Sequence, residues 1–191
     1  MKPKILFLFV TLFALSCSVQ KYMAIIPPEQ IYSIKDGKIH YEEVVPVDNT
    51  SADELFFRAK LLVADRYVSS SDVTKLEDKE NGLIIVKALF IIAHNQFVNN
   101  GRISYTLKLE TKDNRYKYTI TDLRYKFNIR YEHINRDYDE DLIQWGLPTD
   151  GYESKYHYEN MVSFSKDVNS RIEKFINLIK KDMSIPHKSD W

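Results

Sequence analysis

The chain has one cysteine, five glycines and no surplus of charge of either sign. Each shortage excludes something. A single cysteine, Cys17, allows no internal disulfide and no thiolate metal cluster. So few glycines leave little room for phosphate-cradling loops, and no Gly-x-Ser-x-Gly elbow or Gly-rich nucleotide loop occurs. Lys plus Arg equals Asp plus Glu, at 27 each. That balance argues against a nucleic-acid partner, which ordinarily meets a strongly basic domain. There is one long apolar run, Ile5–Leu15, and it falls short of the about 20 residues that a membrane-spanning helix needs.

That run lies behind Lys2 and Lys4 and ends at Ala14-Leu15-Ser16, directly before Cys17. Positive start, apolar middle and small residue before the cut form the pattern of a removable export signal. A cysteine at the cut is the mark of lipoprotein processing. Residues 1–16 are therefore expected to be a lipoprotein signal peptide and Cys17 the lipidated first residue of the mature chain. Once acylated, that sulfur is neither a nucleophile nor a ligand. The expected location is the cell envelope, lipid-anchored, at the outer membrane facing the periplasm, since no acidic run follows Cys17.

Residues 17–30 contain Pro27-Pro28 and no periodicity, as a tether would. Residues 31–185 are expected to form one domain, with 186–191 a tail. Lys38–Val45 alternates as a strand after an Asp36-Gly37 turn. Ser51-Ala52-Asp53-Glu54 has capping-box spacing and starts a helix with Phe56, Ala59, Val63 and Tyr67 on one side. Val73–Glu77, an Asn81-Gly82 turn signal and the apolar run Leu83–Ile92 read as a hairpin. Ile103 to Leu109 alternates, and Lys112-Asp113-Asn114 turns the chain.

Tyr116, Tyr118 and Ile120 then alternate on even numbers, whereas Leu123, Tyr125, Phe127, Ile129 and Tyr131 are odd. A regular strand cannot change faces, so one long strand with a β-bulge near Thr121–Leu123 is expected. Residues 132–158 read as irregular but too aromatic for a solvated loop. Met161, Phe164, Val168, Ile172, Phe175, Ile179 and Met183 recur at steps of three or four, a sustained amphipathic helix.

The expected fold is α+β: an antiparallel sheet of about five strands with two long helices on one face, in the order β-α-β-β-β-β-α. Three stretches carry a resemblance: the helix around Glu54-Leu55-Phe56, the hairpin Glu77–Gly82, and Lys112–Asp122 with its Arg115-Tyr116-Lys117-Tyr118 core. In these the chain resembles a family of uncharacterised bacterial lipoproteins, a domain of unknown function with a TATA-binding-protein-like (TBP-like) fold. The likeness covers roughly residues 38–125. It implies a fold and a compartment and no reaction, and a fold name does not import DNA binding.

Other constellations are weak. Asp137, Asp139 and Asp141 hold the first, third and fifth places of a calcium loop. Leu142 stands where such a loop needs glycine and Pro148 where it needs glutamate. None of the five histidines forms a zinc-binding pair. No metal, cofactor or catalytic residue is assigned, and an enzyme is not expected. Arg124, Lys126 and Arg130 share one strand face and, with Trp145, make the candidate interface, since Arg and Trp are common anchors of protein contacts.

The expected function is a non-enzymatic binding or interaction module with an envelope protein as possible partner. The alternative is a carrier of a small apolar ligand between helices and sheet. On the outer face of that sheet, Leu83, Ile85, Leu89 and Ile91 are expected to be covered by residues 132–158.

The anchor can be tested directly. Cys17→Ser should release the protein from the membrane fraction, and a variant that still sediments like the wild type would remove the lipid from the reading.

Overall fold

Two strands dominate the architecture because their sequences alternate longest. In the computed structural model, which describes residues 26–67, 73–92, 98–131, 134–143 and 155–186, they are β6 (Val98–Lys112) and β7 (Arg115–Tyr131). Around them lie β1 (Ile34–Lys35), β2 (Lys38–Ile39), β3 (Tyr41–Pro46), β4 (Thr74–Asp78), β5 (Leu83–Ile91) and β8 (Ile134–Asp141). Over the sheet lie two long helices among the described residues, α1 (Ala52–Arg66) and α2 (Lys155–Ser184). The main sheet is antiparallel and six-stranded, in the order β3-β7-β6-β5-β4, with β8 also on β7.

β3 and β8 share one edge of β7 end to end. β3 pairs with Arg115–Ile120 and β8 with Arg124–Tyr131. Between them β7 carries the expected bulge. Ser104 of β6 faces Arg124 and Thr106 faces Thr121, so β7 holds one residue more than its partner there. Asp122 adopts φ 54° and its Oδ2 accepts from Thr106 Oγ1 at 2.9 Å. The bulge restores Leu123, Tyr125 and Phe127 to the face already occupied by Tyr116, Tyr118 and Ile120, and all six are buried. A second shift adds a residue on β6 between Asn99 and Arg102. Gly101 lies there because a Cβ would stand 2.7 Å from the Ile92 carbonyl oxygen and 2.9 Å from Tyr125 Oη.

Both helices lie on that one face. Ser51 caps α1, its Oγ accepting from the Glu54 N–H at 3.2 Å. Leu55, Phe56, Ala59, Leu62 and Val63 are buried, and Tyr67 just past the helix reaches Tyr105 with the hydroxyls 2.9 Å apart. From α2, Phe164 packs on Tyr125 with ring centroids 5.0 Å apart, and Phe175 on Tyr105 at 5.6 Å. Arg58 joins the helices from within the core. Its Nε donates to Glu54 Oε1 at 2.8 Å and its Nη1 to the Met183 carbonyl at 2.9 Å. That places a cation on a carbonyl at the C-terminal end of α2, where the helix dipole favours it.

Three expectations need correction. Lys38–Val45 is not one strand. The chain breaks at His40, whose N–H donates to Ser33, and Lys38–Ile39 instead closes a hairpin with Ile34–Lys35. Asp36 (φ 53°) and Gly37 (φ 72°) form its two-residue turn. Residues 134–141 are not irregular but form β8, which supplies partners for the backbone of β7 beyond the bulge and is the sixth strand of a sheet expected to have about five. Having joined the edge, that segment does not cover the outer face. Leu89 and Ile91 are 49% and 68% exposed there, and Leu83 and Ile85 are half-buried. Trp145, part of the expected interface, lies outside the described residues.

Val63 and Ile172 are 4% and 3% exposed, one in each helix stripe. Val63→Asp or Ile172→Asp should each destabilise the fold by about 3–5 kcal/mol, the cost of an unpaired charge in the core. Urea denaturation checks this, and an unchanged midpoint would remove that residue from the core.

Candidate functional site on the outer sheet face

Strand alternation places the residues between the buried positions on the face away from the helices. Going from the β6–β7 turn, register gives rows across β7, β6 and β5: Lys117–Glu110–Leu83, Thr119–Lys108–Ile85, Thr121–Thr106–Lys87, Arg124–Ser104–Leu89, and Lys126–Arg102–Ile91. Seven of these fifteen residues are charged, six of them cations, and the carboxylates that meet them come mainly from the flanking strands β3 and β8.

Near the turn the charges form a chain. Lys35 stands 3.5 Å from Glu42, and Lys117 lies 3.9 Å from Glu42 and 2.8 Å from Glu110. Lys108 pairs with Glu110 at 3.0 Å. Burial works against the Glu42 carboxylate, but Lys35, Lys117 and His40 together hold its pKa below the ordinary value. Glu110 is likewise opposed by burial and held low by Lys117 and Lys108.

At the opposite end, the candidate cations meet β8. Arg124 Nε donates to Asp139 Oδ1 at 2.5 Å and its Nη2 to the Asp139 carbonyl at 2.6 Å, while Lys126 Nζ lies 3.2 Å from Asp139 Oδ2. The Arg124 hydrogen bond is the main reason the Asp139 carboxyl sits low. Asp137, Asp139 and Asp141 face Asn128, Lys126 and Arg124 across the ladder. Alternate strand positions lie roughly 7 Å apart along the chain, so these carboxylates match a row of cations rather than converge on one ion. Among the described residues no group of three or more His, Cys, Asp or Glu is placed to hold a metal.

Structure thus brings Arg124 and Lys126 together, on a shared aspartate. An anionic partner would have to compete with Asp139 for them. Arg130 pairs with Asn135 through the backbone, but its side chain, like Cys17 and Trp145, lies outside the described residues. The sequence reading put Leu83, Ile85, Leu89 and Ile91 on this face, as register has them, but expected residues 132–158 to cover them. Arg102 escaped that reading, because a lone cation beside Gly101 gives no pattern until register sets it between Ile91 and Lys126. Arg58 was legible in principle through its four-residue spacing from Glu54.

The far end of the sheet shows why the three resembling stretches belong together. The β6–β7 turn docks on the start of α1. Asp113 Oδ1 accepts from the Ala52 N–H at 2.8 Å, and Asn114 (φ 62°) exchanges hydrogen bonds with Thr50. Gly82 at the end of the β4–β5 turn has φ 62°, and a Cβ there would stand 2.5 Å from the Thr111 carbonyl oxygen. These contacts enclose a surface cleft of about 570 Å³ between the two turns and α1. Capping and turn geometry account for the residues that line it.

Element order, register and helix placement define an α+β domain of the TBP-like class. Solved structures share that fold. A TBP-like protein from Parabacteroides distasonis ATCC 8503 aligns with a TM-score of 0.61 and 18% identity, covering 81% of this chain and 97% of that one. A DUF4468 family protein from Bacteroides ovatus ATCC 8483 aligns with a TM-score of 0.53 and 10% identity, covering 87% and 96%. No curated protein sequence matches the chain. Residues 41–126 match the family described as a domain of unknown function (DUF4468) with TBP-like fold.

The ion pairs set a pH dependence. Glu42, Glu43, Glu110 and Asp139 all have folded pKa values below their ordinary ones. A depressed carboxyl stabilises the fold fully above its unfolded pKa, about 4, and loses that contribution as pH falls through the folded value. The urea midpoint should therefore hold from pH 7 to about 5 and drop below about 4. A midpoint unchanged at pH 3 would show that these pairs contribute nothing.

Proposed function

We propose that this protein is a lipid-anchored, non-enzymatic interaction module of the cell envelope, held through Cys17 at the periplasmic side of the outer membrane. Its binding surface is the outer sheet face around Leu89, Ile91, Arg124 and Lys126. The observation that carries this reading is the contrast between the two faces. The helix side is filled: Leu107, Tyr125, Val168 and Ile179 have no exposure. On the other side four aliphatic residues stand open, Val44, Leu76, Leu89 and Ile91, the last two in the same rows as arginine and lysine. Exposed apolar groups rimmed by charge are the usual mark of a docking surface.

The carrier reading needs room between helices and sheet. Ring packing of Phe164 and Phe175 on Tyr125 and Tyr105 occupies that layer instead. The near-neutral sequence gives no support to a nucleic-acid partner. No pairing of a nucleophile with a base at the described clefts supports an enzyme.

A photo-crosslinking residue at position 89, compared with one at Phe57, tests the face. Phe57 is 40% exposed on α1, on the opposite side of the domain. In cells, adducts should form at 89 and be scarce at 57. Equal labelling would dismiss the outer face as the binding surface, and a small apolar molecule retained by the purified protein would favour the carrier.

A further inference from the structure

The chain enters the domain at a defined end. The Ile26 N–H donates to Tyr158 Oη at 2.7 Å, near the start of α2. Three contacts then fix how α2 lies along the sheet. Phe164 packs on Tyr125, Phe175 on Tyr105, and Lys180 pairs with Glu43 at 2.6 Å while lying 5.9 Å over the Tyr118 ring. Going back from Lys180 to Phe164 thus moves along β7 from Tyr118 towards Tyr131. Tyr158 is further in the same direction.

The sheet rows share this axis. Tyr125 is in register with Ile103, and Ile103 with Phe90. The next row towards that end is Lys126–Arg102–Ile91. Ile91 and the point of chain entry therefore lie at one end of the domain, and the Asp113-Asn114 turn at the other.

Distances decide which end meets a membrane. From Cys17 to Ile26 the chain spans at most about 30 Å, even fully extended. β7 has 17 residues and so runs roughly 55 Å. A lipid on Cys17 keeps the Ile91 end beside the bilayer, while the turn end can stand well clear of it.

The chemistry of that end fits a headgroup layer. Leu89 and Ile91 are 49% and 68% exposed. Arg102 sits beside Ile91 and Lys87 two residues before Leu89 on the same face. Neither cation has a carboxylate within ion-pairing distance among the described residues, unlike Arg124 and Lys126. Aliphatic tips at the acyl boundary with cations at phosphate level is the arrangement of an interfacial contact.

We infer that the lipid leaflet holding the anchor is itself the occupant of this corner of the outer face, with Leu89 and Ile91 inserted and Arg102 and Lys87 on lipid phosphates. This rests on the anchored reading above and names its partner. A contact of this size is weak for a free domain. The tether makes it intramolecular and so supplies a high local concentration. The result is a fixed orientation: β5 end to the membrane, β6–β7 turn pointing away.

The test uses the full-length lipidated chain in phosphatidylethanolamine–phosphatidylglycerol vesicles. With Cys17 acylated, Ile91→Cys offers the one free thiol for an environment-sensitive fluorophore, and Val44→Cys is the control. Val44 is 56% exposed and lies beside Lys117, at the turn end. Lipid-borne nitroxide should quench the probe at 91 several-fold more than at 44, with a blue-shifted emission at 91 only. Equal quenching on an acylated chain overturns the docking alone. A probe at 91 that is shielded from iodide but untouched by lipid nitroxide also overturns it, since a protein then covers the site. An intact mass with no acyl group on Cys17 overturns the anchored reading, and the docking with it.

Discussion

The bulge at Asp122 is the constraint on which the remaining structure depends. β7 has to present an apolar face to the helices from Tyr116 to Phe127. Its sequence changes parity halfway, and a regular strand would turn Tyr125 and Phe127 to water. One extra residue corrects the phase. Asp122 accepts the left-handed φ that this requires, and its carboxylate takes the Thr106 hydroxyl. The bulge also marks where β7 changes neighbours, from β3 to β8. A single irregular residue therefore keeps one helix-facing layer continuous and divides one sheet edge between two strands.

A second dependency runs through the turn end. α1 begins with backbone N–H groups that no helical carbonyl can reach. Ser51 meets one of them and Asp113, from the tip of the β6–β7 hairpin, meets another. The hairpin is thus tied to the helix packed over its inner face, and Thr111 ties it to the β4–β5 turn through Gly82. Segments far apart in sequence are held at one point by short polar contacts. That is the physical content of the resemblance in those stretches.

Much of this was legible where a residue pattern has only one structural solution. The parity break in β7 could be answered only by a bulge or a strand break. The steps of three and four in α2 predicted Val168, Ile179 and Met183 as buried, and all three have no exposure. The Lys112-Asp113-Asn114 turn was legible as a turn but not as a helix cap, because a cap supplied from another element leaves no local signature. β8 was missed for a related reason. Its residues Asn135 to Asp141 are nearly all polar, with Tyr138 the one aromatic. Its strand character comes from β7, which offers unpaired backbone on one side, cations for its aspartates on the outer face, and Phe127 for Tyr138 to stack on at 4.6 Å on the inner. Once that segment was taken for a cover instead of an edge strand, the outer face was misread with it. Leu89 and Ile91 were expected to be sheltered, and they are exposed.

The outer face then has a particular electrostatic character. Glu42, Lys117, Glu110 and Lys108 alternate in sign, and Asp139 meets both Arg124 and Lys126. Opposite charges this close cancel beyond a few ångströms, and salt screens what is left within about 10 Å. Such a surface attracts little from a distance. Recognition on it has to be short-range, through aliphatic contact and through Lys87 and Arg102, which have no carboxylate within ion-pairing distance among the described residues. Short-range recognition is efficient when the partner is already close, which is the condition a lipid on Cys17 would create. A nearly neutral, ion-paired face with a small apolar corner is poorly suited to capturing a partner from solution. It is well suited to settling against something to which the chain is already attached.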